Sequence, residues 1–295
     1  MSVRPVESGE SDTDMASSQS KGRPCFGAGK GDRCRELVRL IQKLARSRGH
    51  DRVFADFVEL SSLALSNAVD KPQFDAREAR YHDIRKGYAR EEFERFPEML
   101  GLLTLAMEEA EFADVLGSLY MELELGNARS GQFFTPYPVS RMMASIAVGD
   151  GADVRERGLL DMAEPACGAG GIVIAMADAM QGAGISYQHC LHATCIDIDL
   201  RCVHMTYLQA ALLHIPAIVL HGNALSTEVW SRWYTPAHVL GGWSRRLAAR
   251  RQAAVASATA AQAGEAGRGP AQVALPPVMS PPTAGEALRE QMRLF

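Results

Sequence analysis

Glu164-Pro165-Ala166-Cys167-Gly168-Ala169-Gly170-Gly171 is the stretch that decides the fold. The short apolar run before it, Gly158-Leu159-Leu160-Asp161-Met162-Ala163, reads as a strand. The residues after it, Gly171 to Met180, read as a helix. A glycine-rich turn between a strand and a helix lets the backbone turn tightly and come close to a ligand. The helix start beyond it presents unpaired N–H groups and a positive dipole end, which suit a carboxylate-bearing ligand.

Working outward, His192 to Ile198 reads as a second strand, residues 200–213 as a second helix, and Ala217 to Leu220 as a third strand. The β-α-β-α-β order predicts an α/β fold with a parallel sheet and right-handed crossovers. Upstream, residues 33–126 are patterned as helices. Leu37, Leu40, Ile41 and Leu44 fall at helical spacing, as do Val53, Phe54, Phe57 and Leu60, and then Met99, Leu102, Leu103 and Met107. Pro72 and Pro97 punctuate this region. Residues 1–32, rich in Ser, Gly and Asp, read as a disordered leader. From 247 to 295 the Ala, Gly, Pro, Gln and Arg content reads as a disordered tail, amphipathic again only from Gly285 to Phe295. The domain of interest is thus expected over 127–246.

The 295 residues are 47% hydrophobic, enough for a sizeable core. No apolar run is long enough to span a membrane, and no secretory leader is visible, so a cytoplasmic protein is expected. A net charge of −4 is not that of a free-standing nucleic-acid binder. A stripe of Arg35, Arg39, Lys43 and Arg46 is the local basic surface that could touch phosphates, and a solvated helix face is the commoner explanation for it. His189, Cys190, His192, Cys195, Cys202 and His204 fit no standard metal spacing and read as structural residues with reduced thiols, so no metal is assigned.

The Glu164–Gly171 string resembles the first cofactor motif of the adenine-N6 DNA methylases, in the form found in modification subunits of type I restriction systems. Three further segments agree with that family in type, order and spacing. Ser130-Gly131-Gln132-Phe133-Phe134-Thr135-Pro136 is similar to its Gly-Gln-aromatic-aromatic-Thr-Pro segment. Cys195-Ile196-Asp197-Ile198-Asp199 ends the second strand, and His221-Gly222-Asn223-Ala224-Leu225-Ser226 follows the third. Each has a plain alternative as a loop, a helix cap or a turn. The resemblance implies a Rossmann-like core that binds S-adenosylmethionine and methylates adenine in DNA. The implied cofactor residues are Gln132, Phe133, Phe134, Thr135, Pro136, Glu164, Pro165, Ala166, Cys167, Gly168, Gly170, Gly171, Asp197, Asp199 and Asn223. Within that set Asp197, with Asp199 as its neighbour, would take the ribose hydroxyls and Asn223 the adenine.

The family's Asn-Pro-Pro-aromatic tetrapeptide, whose amide and backbone accept the hydrogens of the target amine, is not found. Leu240-Gly241-Gly242-Trp243 stands at about its distance, and only Trp243 keeps a relevant chemistry, that of stacking on a flipped base. Two readings follow. One is a restriction–modification methyltransferase whose stand-alone activity is impaired. The other is a catalytically silent module that binds S-adenosylmethionine and works through partners. A methyltransferase acting on protein or a small molecule is disfavoured by the Gln132–Pro136 segment. No target-recognition region is visible, so a specificity or restriction subunit is the expected source of sequence choice. The terminal Gln291-Met292-Arg293-Leu294-Phe295 is similar to the peptide that docks bacterial proteins on the sliding clamp, with Gln291, Leu294 and Phe295 as the anchors.

Overall fold

A computed structural model describes residues 32–123, 125 and 134–266. The expected leader, the Gln132–Phe133 part of the aromatic segment and the Gln291–Phe295 peptide lie outside the described residues. The chain opens with helices α1 (Asp32–Leu44), α2 (His50–Val69), α3 (Phe74–Lys86), α4 (Arg90–Phe93), α5 (Arg95–Ala110) and α6 (Val115–Glu122), with a 3-10 turn at Lys71–Gln73. Leu37, Ile41 and Leu44 form the buried stripe of α1, and Val53, Phe54, Phe57 and Val58 that of α2. Pro72 falls in the 3-10 turn and Pro97 in the first turn of α5, where no intrahelical N–H is lost.

Helices α7 (Tyr137–Val148) and α8 (Ala152–Arg157) lead into β1 (Leu160–Glu164). There follow α9 (Gly171–Gly182), α10 (Tyr187–Cys190), β2 (Leu191–Asp197), α11 (Leu200–Leu212), β3 (Ala217–Asn223) and β4 (Glu228–Tyr234). The sheet order is β1-β2-β3-β4. The first three strands are parallel, in register Glu164 to Cys195 and Asp197 to His221, so Glu164, Asp197 and Asn223 end at the same edge of the sheet. This is the mixed α/β architecture expected, with its helical N-terminal region.

Three features depart from the sequence reading. First, β4 was not anticipated, and it runs antiparallel to β3, so the sheet is not wholly parallel. The hairpin is closed by Asn223, whose Oδ1 accepts the Leu225 and Ser226 amides, and by Thr227 at φ 61°. Second, the sequence reading sets no packing relation between the N-terminal helices and the sheet, and the two share one core. One continuous core runs from Cys34 through Phe54, Tyr120 and Val173 to Trp233, and the buried Ser62 hydroxyl donates to the His204 carbonyl. Third, the segment assigned to a tail begins in a helix. After α12 (Pro236–Leu240), α13 runs over Trp243–Ala266. Its Ala, Arg and Gln content, which reads as low complexity, is also that of a strong helix former. Trp243 and Leu247 pin its start against Leu159, and Arg250 donates to the Arg157 carbonyl.

Candidate functional site: a pocket at the ends of β1 and β2

The Ala166–Gly170 turn is held from several directions. The Cys167 amide donates to the Ile196 carbonyl at 3.1 Å, across the β1–β2 ladder. The Gly168 amide donates to Asp197 Oδ2 at 2.9 Å, and the Asp199 amide donates to Asp197 Oδ1 at 2.9 Å. Thr206 Oγ1 donates to the Gly168 carbonyl and Gln209 Nε2 to the Ala169 carbonyl, both from α11. Gly168 has φ 54°, and a Cβ built there would meet the Phe134 ring at 2.9 Å, so glycine is required by backbone and ring together.

These elements enclose a cavity of about 340 Å³, within the usual range for small-molecule sites. Phe134, Thr135, Glu164, Ala166, Cys167, Gly168 and Gly171 all line it, so residues from three of the four sequence segments implied by the resemblance meet there or, as Asp197 does, behind its wall. The remaining assignments fall at its edge. Pro136 caps α7 and Gly170 caps α9, packed on Thr206, while Pro165 is exposed at the turn. Asp199 caps α11 and pairs with Arg201. Asn223 is engaged by its own hairpin.

Two lining residues carried no signal as site residues. Asp114 caps α6, and its Oδ1 accepts from the Gly117 amide and from Gln209 Nε2; full burial raises its pKa. The Asp-x-x-Gly start of an apolar helix is visible in sequence, but only as a cap. Ser140, on α7, lines the cavity with a buried hydroxyl that has no hydrogen-bond partner among the described residues.

The electrostatics are those of a sheltered acidic edge. Burial raises the pKa of Glu164, against the help of the Ala166 amide, and burial likewise raises that of Asp197, against the Asp199 and Gly168 amides. Burial pushes the Cys167 thiol well above its ordinary value, so it is an inert wall of the turn. The Gly168, Asp199 and Ile198 amides together fix the Asp197 carboxylate behind the turn.

Leu240-Gly241-Gly242-Trp243 lies elsewhere. The Thr235 amide and hydroxyl bond to Ala217, the first residue of β3, and His238 Nδ1 meets His192 Nε2 at 3.0 Å near the start of β2. His192 and Asp197 are separated by about 17 Å of strand, at roughly 3.3 Å per residue. Trp243 is 1% exposed, with the His192 ring at 5.4 Å and the Arg246 guanidinium 3.6 Å above it. It is a core residue and presents no face to a base.

The described residues contain no helix long and apolar enough to cross a membrane. No curated protein and no solved structure matches the chain. A family model described as N-6 DNA Methylase matches residues 112–241, a span that takes in Asp114, the glycine turn, Asp197 and the β3–β4 hairpin. Over residues 112–241 the chain is thus similar to the N-6 DNA methylase family.

Proposed function

We propose that the chain is the cofactor-binding part of an S-adenosylmethionine-dependent adenine-N6 methyltransferase of the restriction–modification type, built on a Rossmann-like core. On this reading a second polypeptide, such as a specificity or restriction subunit, completes both base handling and sequence choice. The observation that carries it is the convergence of Phe134, Thr135, Glu164, the 166–169 turn and Asp197 at the carboxyl ends of β1 and β2. Ligands of open α/β sheets bind at that end.

The donor set fits a nucleoside bearing an amino acid. Asp197 is oriented to accept ribose hydroxyls, and Glu164 offers a second carboxylate to hydroxyl or ammonium hydrogens. The α9 start favours a carboxylate. Ser140 supplies a hydroxyl still lacking a partner. When bound, the cofactor supplies an electrophilic methyl group. The chain's own residues bind and orient it, while Phe134 closes the turn from the side.

Unassisted transfer is expected to be weak. An exocyclic amine needs an acceptor for its hydrogens, and the residues nearest in sequence to that role sit at the opposite end of the strands. Strand β1 is also an edge, with no strand on its far side among the described residues. That leaves the flank beside Glu164 open for a partner. The silent-module reading differs only in what such a partner adds.

The test is calorimetric titration of the purified full chain with S-adenosylmethionine, alongside Asp197→Ala and Asp197→Asn, each checked for folding by its thermal transition. Micromolar binding by the wild type that weakens in both folded variants is expected. No binding by a folded wild type would refute the cofactor reading. Efficient methyl transfer to unmethylated DNA by the chain alone would refute the need for a partner.

A further inference from the structure

A second cavity, of about 490 Å³, lies under the β3–β4 hairpin and shares no lining residue with the cofactor pocket. Its walls come from α2, α3, α11, β3 and β4. Three properties set its chemistry. The first is aromatic. Trp230, 47% exposed on the edge strand, meets His221 edge-on at 4.7 Å, and Trp233 meets His204 edge-on at 4.8 Å. Trp230 is the exposed ring at the opening, backed by His221, while the Trp233 face is already covered by the Arg77 guanidinium at 4.2 Å.

The second is charge. Arg77 and Arg80, which also line the cavity, are neutralised by Asp70 and Glu59 at 2.6 Å each. Arg232 is exposed and makes no hydrogen bond or ion pair through its side chain among the described residues. The site therefore keeps one uncommitted positive charge beside its aromatic wall. The third is an unmet hydrogen bond. His204 is 2% exposed, and its Nε2 has no partner among the described residues. Burial holds its pKa down at about 3, so the ring is neutral and Nε2 presents one donor or one acceptor. A buried polar atom left in this state is costly and is relieved by a hydrogen-bonding ligand.

We propose that this cavity binds a nucleotide of single-stranded or unpaired DNA, with the base against Trp230 and a phosphate on Arg232. The pocket chemistry alone selects a nucleotide, and the choice of DNA rests on the methylase reading. Aromatic stacking with one cation per phosphate is how proteins hold a strand without reading its sequence. Such a platform keeps an unpaired strand on the β4 flank while the cofactor pocket faces the ends of β1 and β2. It also adds a DNA contact that the basic stripe of α1 does not provide.

The test uses the full chain and a fluorescein-labelled single-stranded oligonucleotide of about ten residues, read by anisotropy at several salt concentrations. Cofactor affinity is measured on the same samples by calorimetry. Trp230→Ala is expected to weaken oligonucleotide binding by about 5- to 100-fold, the usual range for loss of one stacked base. Arg232→Gln is expected to lower the slope of log affinity against log salt by about 0.7. Both variants should keep wild-type cofactor affinity. Several results would overturn the assignment: no oligonucleotide binding by a wild type that still binds the cofactor, undiminished binding by both variants, binding of adenosine monophosphate but not the oligonucleotide, or a preference for RNA. Oligonucleotide binding with the expected variant effects, in a protein that fails to bind cofactor, would leave this site standing and remove the cofactor reading instead.

Discussion

Ser140→Ala should move stability and ligand affinity in opposite directions. In the free protein the Ser140 hydroxyl is buried, at 1% exposure of the residue, and has no hydrogen-bond partner among the described residues. Burying an unsatisfied hydroxyl costs about 1–3 kcal/mol relative to a satisfied one. Removing it takes away one atom from the edge of an existing cavity, so the packing loss is small. The net expectation is a stability change between zero and a gain of about 1 kcal/mol in urea unfolding. The liganded protein behaves differently if the hydroxyl meets the cofactor in the pocket it lines. One hydrogen bond is worth about 0.5–1.5 kcal/mol net, so the dissociation constant for S-adenosylmethionine should rise by about 2- to 12-fold. A general packing defect would lower both quantities together. Destabilisation by more than about 1 kcal/mol would mean that the hydroxyl has a structural role. Unchanged cofactor affinity would mean that it does not face the ligand. Either result refutes the argument.

Trp243→Ala should cost about 3–5 kcal/mol of stability by urea denaturation, because the ring is buried between His192 and Arg246 and pins α13. The cofactor affinity of the folded fraction should be unchanged, and a loss of DNA binding without loss of stability would restore a base-stacking role. Acid should weaken the protein through two histidines. Burial lowers the pKa of His238 to about 4 and that of His204 to about 3, both below the ordinary value of 6.5. The unfolded chain then binds more protons than the native one between those limits, so this stabilisation is full above pH 6.5 and is lost as pH falls toward 3–4. The buried carboxylates with raised pKa, Asp114 among them, act in the opposite sense, so the decisive measurement is the difference between wild type and His238→Asn. The variant should show a shallower loss of stability between pH 6.5 and 4, and an unchanged slope would rule out His238 as a source.

The glycine turn was legible because its chemistry is contiguous. Eight successive residues carry the strand end, the left-handed position at Gly168 and the helix start, and no tertiary knowledge is needed to read them. Asp197 was legible for the same reason, as the last residue of a strand. Ser140 and Asp114 were not, since they reach the pocket only through the packing of α7 on α9 and of Gln209 on Asp114. Strand β4 was hidden by its composition. Glu228-Val229-Trp230-Ser231-Arg232-Trp233-Tyr234 carries large aromatics on both faces, one tryptophan buried and one exposed, which erases the alternation that marks a half-buried strand. Helix α13 was hidden by the reverse effect. Repetition of Ala and Arg lowers sequence complexity without lowering helix propensity, and two apolar anchors at its start are enough to seat it.

The missing tetrapeptide and the unexpected strand are one structural fact. Strands β1, β2 and β3 all run toward the pocket end of the sheet, where Glu164 lines the pocket, Asp197 stands behind its wall and Asn223 closes the hairpin. A chain that leaves β3 at that end must cross back before it can supply another parallel strand, and the crossover takes about a dozen residues or more. Here only Ala224–Thr227 intervene before β4, so the return is itself a strand, antiparallel and ending beside Ala217. Residues 235–247 are thereby delivered to the amino ends of the strands. There His192 and His238 hydrogen-bond to each other, His238 Nε2 meets Ser244 Oγ at 2.9 Å, and Trp243 closes the core. Restoring Asn-Pro-Pro-aromatic at 240–243 would therefore place that motif about 17 Å of strand from the pocket it must serve. The connection after β3 separates the pocket from residues 240–243, so on the proposed reading an acceptor for the target amine comes from another part of the sequence or from another polypeptide.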